Sequence, residues 1–446
     1  MNQITVDFSQ VQGKMKIMHA VNNGPVGVCA TRGFTNWKAH QEAEIPYARN
    51  HDASFYHGYG GEYTVDVHRI FRDFDADVND PASYDFLMTD RYVSDTEAVG
   101  TRTFYRLGAR IEHEPRKMGT FPPKDFQKWA EICEHIIRHY TEGWADGFTY
   151  NIEYWEIWNE PDCGEIGQNP CWQGTKEEFM DFFCIALRHL KSKFPHLKIG
   201  GPAFCNAWRD EYNDLLFTAL NKEGLSMDFF SFHGYWNEPY KYAEDGEHAY
   251  QALEKYGFAG KLEMILNEWN YCRSWYGEGY LETQRAIKGL KGASFVVGTM
   301  CTGQNSKLDM MMYYDARPTI WNGMFDTSFL TPLKGYYPFK MYSQLYKMGT
   351  QVAADSDERS LYTLAAKGQD ACGVLFTYFV DDDTAPAKEI ALELKNCPLG
   401  KKNVEIYLLD EQNDLTLVRT EKITSGNFTL YFNAKLYSSY FLRIVP

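Results

Sequence analysis

Two glutamates, Glu160 and Glu268, close apolar runs in settings where a carboxylate can do chemistry. Residues 154–162 read YWEIWNEPD. Tyr154, Trp155, Ile157 and Trp158 form a nearly continuous apolar run that stops at Pro161, which cannot donate to a sheet ladder. Such a run reads as a strand buried on both faces. Asn159 and Glu160 then fall at its C-terminal end, where an α/β barrel keeps its chemistry. Packed beside Trp158 and Pro161, the Glu160 carboxylate is expected to be partly desolvated and its pKa raised, as a general acid requires. Residues 264–271 read MILNEWNY and put Glu268 at the end of a second run. Glu268 lies 108 positions after Glu160, or three units of 36, a plausible size for successive βα units.

The elements that must hold these carboxylates follow from the apolar pattern. Eight runs alternate with helical segments: residues 16–21, 45–50, 102–107, 154–158, 197–201, 227–233, 264–271 and 308–314. Helices are expected over 33–43, 124–140, 175–194, 211–221, 247–256, 282–301 and 337–347. Thr175 with Glu178 is a capping box, and Pro195 ends that helix. Right-handed βα units put every strand end on one face, so the fourth and seventh strands face each other across a barrel mouth. Residues 54–100 make a long excursion, rich in Gly, Asp and aromatics. It far exceeds an ordinary βα loop, and a loop this long above a barrel shapes a pocket.

After about residue 350 the texture changes to short β-like runs (361–366, 371–380, 389–394, 404–410, 428–432 and 439–445) separated by charged or Gly/Asn/Asp turns. Residues 3–8 alternate like a strand and are expected to join them. The fold class is therefore α/β: a (β/α)8 TIM barrel over 14–350 with an appended all-β sandwich built from 1–13 and 351–446.

The 446 residues carry a net charge of −15, with 44% apolar, 24% charged and 16% aromatic residues. Nothing supplies the basic footprint a nucleic-acid partner needs, and no run approaches the ~18 apolar residues of a membrane span. The N-terminal MNQITVDFSQ lacks the basic and apolar regions of a signal peptide. That points to the cytoplasm, or to secretion where a leader has been removed. Ten cysteines are too few for a disulfide scaffold; Cys133, Cys184, Cys301 and Cys372 read as small, reduced core residues. Cys163 and Cys171 flank the loop after Glu160 and are candidates for a pair. His135 and His139 stand four apart on a helix, but no third ligand accompanies them, so no metal is expected. Without a GxSxG elbow, P-loop or dinucleotide fingerprint, no cofactor is expected either.

WNEP closing one strand, with Glu268 closing another about a hundred residues later, resembles the clan of retaining glycoside hydrolases on (β/α)8 barrels. Within it the chain most resembles family 39, the β-xylosidase and α-L-iduronidase family. The resemblance implies double displacement, which needs two carboxylates about 5 to 5.5 Å apart, with Glu160 as acid/base and Glu268 as nucleophile. Asn159 matches the clan residue that hydrogen-bonds the sugar 2-hydroxyl. Arg49 matches the arginine of the second strand, which keeps the nucleophile ionised. His51 and His233, at strand ends, are expected to bind sugar. Tyr235 is expected to donate to Glu268, and Trp321 to form a sugar platform. Asn22 and Asn23 are candidates for sugar contacts, although turn chemistry accounts for them equally; Asp52 and His57 are weaker ones.

Asp162 after WNEP is shared with the iduronidase branch, whereas xylosidases tend to carry Asn there, and NEWN replaces the xylosidase Thr before the nucleophile. The implied substrates are β-xylosides, β-galactosides, β-glucosides or α-L-arabinopyranosides, with α-L-iduronides behind them. The expected partner is thus an oligosaccharide or glycoside attacked in exo fashion. An endo-acting glycanase of the same clan and a non-catalytic carbohydrate-binding barrel are the alternatives. Oligomerisation stays open.

Overall fold

The computed structural model describes residues 1–27, 35–52, 65–398, 402–423 and 425–445. After β1 (Asn2–Lys14), eight parallel strands close a barrel in chain order: β2 (Ile17–Asn22), β3 (Tyr47–Arg49), β4 (Arg102–Leu107), β5 (Tyr154–Ile157), β6 (Lys198–Phe204), β7 (Phe229–Trp236), β8 (Glu263–Tyr271) and β9 (Met310–Tyr313). Among the described residues the helices are α1 (Trp37–Ala43), α2 (Val67–Ile70), α3 (Leu87–Ala98), α4 (Phe126–Thr141), α5 (Lys176–Lys193), α6 (Asp210–Glu223), α7 (Lys241–Tyr256), α8 (Gly277–Ile287), α9 (Leu290–Gln304) and α10 (Tyr337–Met348). None is long and apolar enough to cross a membrane. The capping box forms: Thr175 accepts from the Glu178 amide while Glu178 accepts from the Thr175 amide.

The barrel interior is layered because inward residues recur every second position. Tyr47, Phe104, Tyr154, Phe229 and Ile265 make an apolar floor, with the Phe104 and Tyr154 rings stacked at 5.1 Å. Two residues further along β3, β5, β7 and β8 come Arg49, Glu156, Ser231 and Asn267, all buried. Above this polar layer lie the strand ends. β8 carries a bulge: Phe232 pairs with Leu266 but His233 pairs with Glu268, so Asn267 is the extra residue. A bulge re-aims side chains, and here it brings both Asn267 and Glu268 to the inner face.

The second domain is one nine-stranded sheet, ordered β15-β14-β17-β12-β11-β10-β1-β13-β16, with β10 (Thr350–Ser356), β11 (Leu361–Lys367), β12 (Cys372–Tyr378), β13 (Lys388–Lys395), β14 (Lys402–Leu409), β15 (Asp414–Ile423), β16 (Phe428–Ala434) and β17 (Ser439–Val445). Laid flat, β12 and β16 would stand about 24 Å apart at ordinary strand spacing. The Phe376 and Phe432 rings nevertheless meet at 5.2 Å. The sheet therefore folds over into two facing layers around its own core, as a sandwich does. β1 pairs within this sheet, antiparallel to β10 and parallel to β13.

Four expectations change. The excursion 54–100 is not all loop, because it holds α2 and α3. The helix expected over 282–301 is two: α8 ends at Ile287 and α9 starts afresh after Gly289. A Cβ at Gly292 would lie 2.7 Å from the Ile287 carbonyl, so α9 turns back tightly on the end of α8. β10 and β15 were not expected; β10 is small and polar, and β15 is a largely exposed edge strand with four charged residues. Strand β5 stops at Ile157, so Trp158 lies beyond it.

Candidate active site

The chain leaves β5 in an unusual backbone conformation, with Trp158 at φ 74° and Glu160 at φ 46°. Non-glycine residues pay roughly 1–3 kcal/mol for such positions and hold them only where the surroundings insist. Here the Trp158 amide donates to the Leu107 carbonyl (2.7 Å) and the Glu160 amide to the Ala203 carbonyl (2.9 Å). The indole of Trp158 donates to the Cys171 carbonyl at 2.9 Å and packs edge-on against Trp172 and Phe182. Gly108 makes room: a Cβ there would stand 3.1 Å from the Trp158 ring, and its φ is 150°. The result aims the Glu160 side chain at the barrel axis, where Oε1 lies 2.7 Å from His233 Nδ1.

Glu268 is buried. Arg49 Nη1 donates to its Oε1 at 2.8 Å, and the Tyr235 hydroxyl donates to Oε2 at 2.8 Å. Arg49 is fully buried and uses its whole fork: Nε on Glu156 (2.6 Å), Nη1 also on the Asn22 oxygen (3.1 Å) and Nη2 on the Asn159 oxygen (2.6 Å). Glu156 is held in turn by Ser231 and Asn267. Glu160, His233 and Glu268 each bring one ligating atom within 4.8 Å of the others.

Burial raises both carboxyls, but unequally. Glu160 lies well above the usual carboxylate range, through desolvation and then the charges of Cys163 and Asp162. Glu268 is pushed by burial only to about 6, because the charges of His233, when its ring is protonated, and of Arg49 oppose it. Burial also pulls His233 down to about 4. The ring is therefore neutral near pH 7, and the charge that keeps Glu268 ionised is that of Arg49. His51 too is held neutral, by burial and then by Arg49 and Arg106. Arg106 Nε donates to its Nδ1 at 3.2 Å, so the ring proton sits on Nε2, 3.8 Å from Glu268.

Most of the residues singled out in the sequence thus share one network: Glu160, Glu268, Asn159, Arg49, His51, His233 and Tyr235. Trp321 stands beside it, its ring 5.7 Å from that of Tyr235 and 5.1 Å from that of half-exposed Trp275. Asn22 does not offer its amide to a ligand. Its nitrogen is spent on the Asn267 carbonyl (2.7 Å) and its oxygen on Arg49. Asn23 is buried in the left-handed region at φ 63°, its amide on the Arg49 carbonyl. Asp52 receives the Tyr314 hydroxyl at 3.3 Å, and His57 lies outside the described residues.

Sequence reasoning passed over Glu156 and Arg106, although each is a charged residue flanked by apolar ones within a strand, which is a legible signal. It also passed over Asp66, which holds Arg106 at 2.8 Å. Cys163 and Cys171 do lie together, but as free thiols. Cys205 joins them, since Cys163 shares side-chain hydrogen bonds with both. Glu160, Cys163 and Cys171 form a second group whose ligating atoms lie within 4.8 Å of one another.

With this geometry in hand, comparison with known proteins identifies the kinship. The model of the family "Glycosyl hydrolases family 39" matches residues 23–259, more than half of the chain. Beta-xylosidase from Geobacillus stearothermophilus is 28% identical over 196 residues, which are 42% of this chain and 37% of that protein's length. Two solved structures share the fold over the full chain. A glucosidase from Croceicoccus marinus superposes with a TM-score of 0.82 at 19% identity, covering 100% of this chain and 99% of its own. The GH39 enzyme from Xanthomonas axonopodis pv. citri gives 0.73 at 15% identity, covering 100% and 97%. A WNEP strand end, a second glutamate brought inward by a bulge and a family match that takes in β3 to β7 have one common reading: this chain belongs to glycosyl hydrolases family 39.

Proposed function

We propose that this protein is a retaining glycoside hydrolase, exo-acting on β-linked pentosides or hexosides, with a β-xyloside as the first substrate to try. One observation carries the reading. Two carboxylates, Glu268 buried and Glu160 only slightly exposed, each bring an oxygen within 4.8 Å of the other; Glu268 is gripped by Arg49, and Glu160 has no Lys or Arg partner among the described residues. That separation belongs to the short class used for double displacement, about 5 to 5.5 Å, and leaves no room for the intervening water of an inverting enzyme, about 6.5 to 9.5 Å.

In the first step Glu268 attacks the anomeric carbon while Glu160 gives its proton to the departing oxygen. Oε1 of Glu160 accepts from His233 Nδ1, which leaves Oε2 to carry that proton. Once Glu268 is esterified its negative charge is gone, and the aglycone has taken the proton of Glu160. Glu160 then accepts a proton from water as that water attacks the glycosyl carbon and frees Glu268. Asn159 is the group we assign to the sugar 2-hydroxyl. Its oxygen is occupied by Arg49, while its Nδ2, like His51 Nε2 and His233 Nε2, is buried without a hydrogen-bond partner among the described residues. The Asn159 and His51 nitrogens are open donors and the unprotonated His233 Nε2 is an open acceptor, a mixed set that suits a polyhydroxyl ligand.

The exo-acting, β-linked reading leans on kinship with a Beta-xylosidase and on the length of the β3–β4 connection, since long loops above a barrel shape pockets. A panel of aryl glycosides, followed by proton NMR of the first-formed sugar, tests it. The expected result is turnover of a β-pentoside or β-hexoside with the β-anomer appearing first. An α-anomer formed first, or no turnover on any member of the panel, overturns it.

A further inference from the structure

The loop that carries Glu160 also carries thiols that its proposed chemistry does not need. Cys163 lies three residues after Glu160, Cys171 closes the same loop, and Cys205 follows β6. All three are free. Cys163 shares side-chain hydrogen bonds with both Cys171 and Cys205. Cys171 Sγ stands 3.9 Å from Glu160 Oε2, the oxygen assigned above to the acidic proton. Surplus cysteines in a core ordinarily lie apart with apolar neighbours. These instead place two sulfurs beside one carboxylate, with a third, that of Cys205, hydrogen-bonded to Cys163.

The loop is held in this form from outside the cluster. Asn169 Oδ1 accepts from the Cys171 and Trp172 amides (2.8 and 3.0 Å), and its Nδ2 donates to the Pro161 carbonyl at 2.8 Å. Asp162 Oδ1 accepts from the Cys205 amide at 3.0 Å and its Oδ2 pairs with Arg209 at 3.0 Å. Both anchors fix cysteine backbones, so the cluster is preorganised. Around a tetrahedral zinc, with Zn–S bonds of about 2.3 Å, sulfurs lie about 3.8 Å apart. The atoms of Glu160, Cys163 and Cys171 already lie within 4.8 Å of one another, so side-chain rotations of under about 1 Å close the set. Soft thiolates with one carboxylate select a thiophilic divalent cation over calcium or magnesium.

We infer that Glu160, Cys163 and Cys171, with Cys205 as fourth donor, form a binding site for a thiophilic divalent cation of the zinc class, and that filling it switches the enzyme off. On binding, the thiol protons and the acidic proton of Glu160 leave to water, and the metal takes the Oε2 lone pair that would otherwise hold the proton for the leaving group. Arg209, hydrogen-bonded to Cys205, offsets the anionic cluster. The binding half stands on geometry alone, whereas the inhibitory half rests on Glu160 being the acid/base.

The test uses the full-length protein, stripped with a chelator and kept reduced, titrated with cadmium and then zinc. Cadmium should give a thiolate-to-metal absorption band saturating at one ion per chain. Cys163→Ser and Cys171→Ser should lose the band, with circular dichroism verifying their fold. Cys184→Ser, a buried thiol on α5, should keep it. Glu160→Gln should move the cadmium midpoint to higher concentration. Zinc at ten times its dissociation constant should cut wild-type turnover about tenfold, reversibly on adding chelator. A band absent in wild type, or retained in folded Cys163→Ser, overturns the site. A midpoint unmoved in Glu160→Gln removes the carboxylate from it and overturns the switch. A band that needs both cysteine and carboxylate, with turnover unaffected by zinc, leaves the site standing and sinks the acid/base role of Glu160 instead.

Discussion

Replacing Arg49 by Met tests how the two carboxylates are kept different. The guanidinium is fully buried and reaches Glu156 at 2.6 Å, Glu268 at 2.8 Å and Asn159 at 2.6 Å. With His51 and His233 neutral, its loss leaves two buried carboxylates with no cation between them. Leaving a buried charge unpaired costs about 3–5 kcal/mol, and the protein escapes part of this by protonating one carboxylate. A cation at such range lowers a carboxyl by about one to three pH units, so Glu268, at about 6 in the wild type, rises by a similar amount. At pH 6 the ionised fraction falls about fivefold for a rise of one unit and about fiftyfold for a rise of two. The assay is kcat/KM against pH on an aryl glycoside. The acid limb should move upward, with activity partly recovered as the pH rises. Thermal unfolding should place the variant closer to wild type at pH 5 than at pH 8, because a raised carboxyl forfeits stability as pH climbs through it. An unmoved acid limb, or a loss equal at every pH, refutes the idea that Arg49 sets the charge on Glu268.

Three further outcomes follow from the same geometry. Glu268→Gln should abolish turnover yet stabilise the fold. Raising a carboxyl from 4.5 to about 6 costs about 2 kcal/mol at pH 7, and the gain should vanish below about pH 4.5, as differential scanning calorimetry at the two pH values will tell. Glu160→Ala should slow substrates with poor leaving groups far more than those with good ones. Added azide should then yield the β-azide from a β-glycoside; equal losses across leaving groups would remove Glu160 as the acid. Gly108→Ala puts a methyl 3.1 Å from the Trp158 ring in a backbone region closed to alanine. It should cost about 1–3 kcal/mol and depress kcat by tilting Glu160; an unchanged Tm with unchanged kcat would mean that the strand exit is not held as described.

How much of this was legible beforehand depended on the range of the signal. Thr175 and Glu178 speak to each other across three residues, and their capping box is where it was expected. The two glutamates announced themselves because each ends an apolar run. By contrast α3 starts without a side-chain cap and leaves Leu87 and Met88 exposed, so its pattern resembles loop. Gly289 and Gly292 fall inside the stretch expected as one helix, and their part in the tight return of α9 on α8 depends on how the two helices meet. β15 interleaves charges because it is a sheet edge, where charge guards against pairing with other chains. The bulge at Asn267, which lets two consecutive side chains face inward, leaves no local trace at all. Nor does the meeting of Cys205 with Cys163 and Cys171, since it depends on how β6 and the β5 loop are set side by side.

The most direct examination of the central claim is to trap the sugar on the enzyme. A 2-deoxy-2-fluoro glycoside with a good leaving group should inactivate the protein in a time-dependent manner. Peptide mass spectrometry should then find one fluorosugar per chain, esterified to Glu268. A label on any other residue, or steady hydrolysis of that reagent with no covalent adduct, would contradict the account.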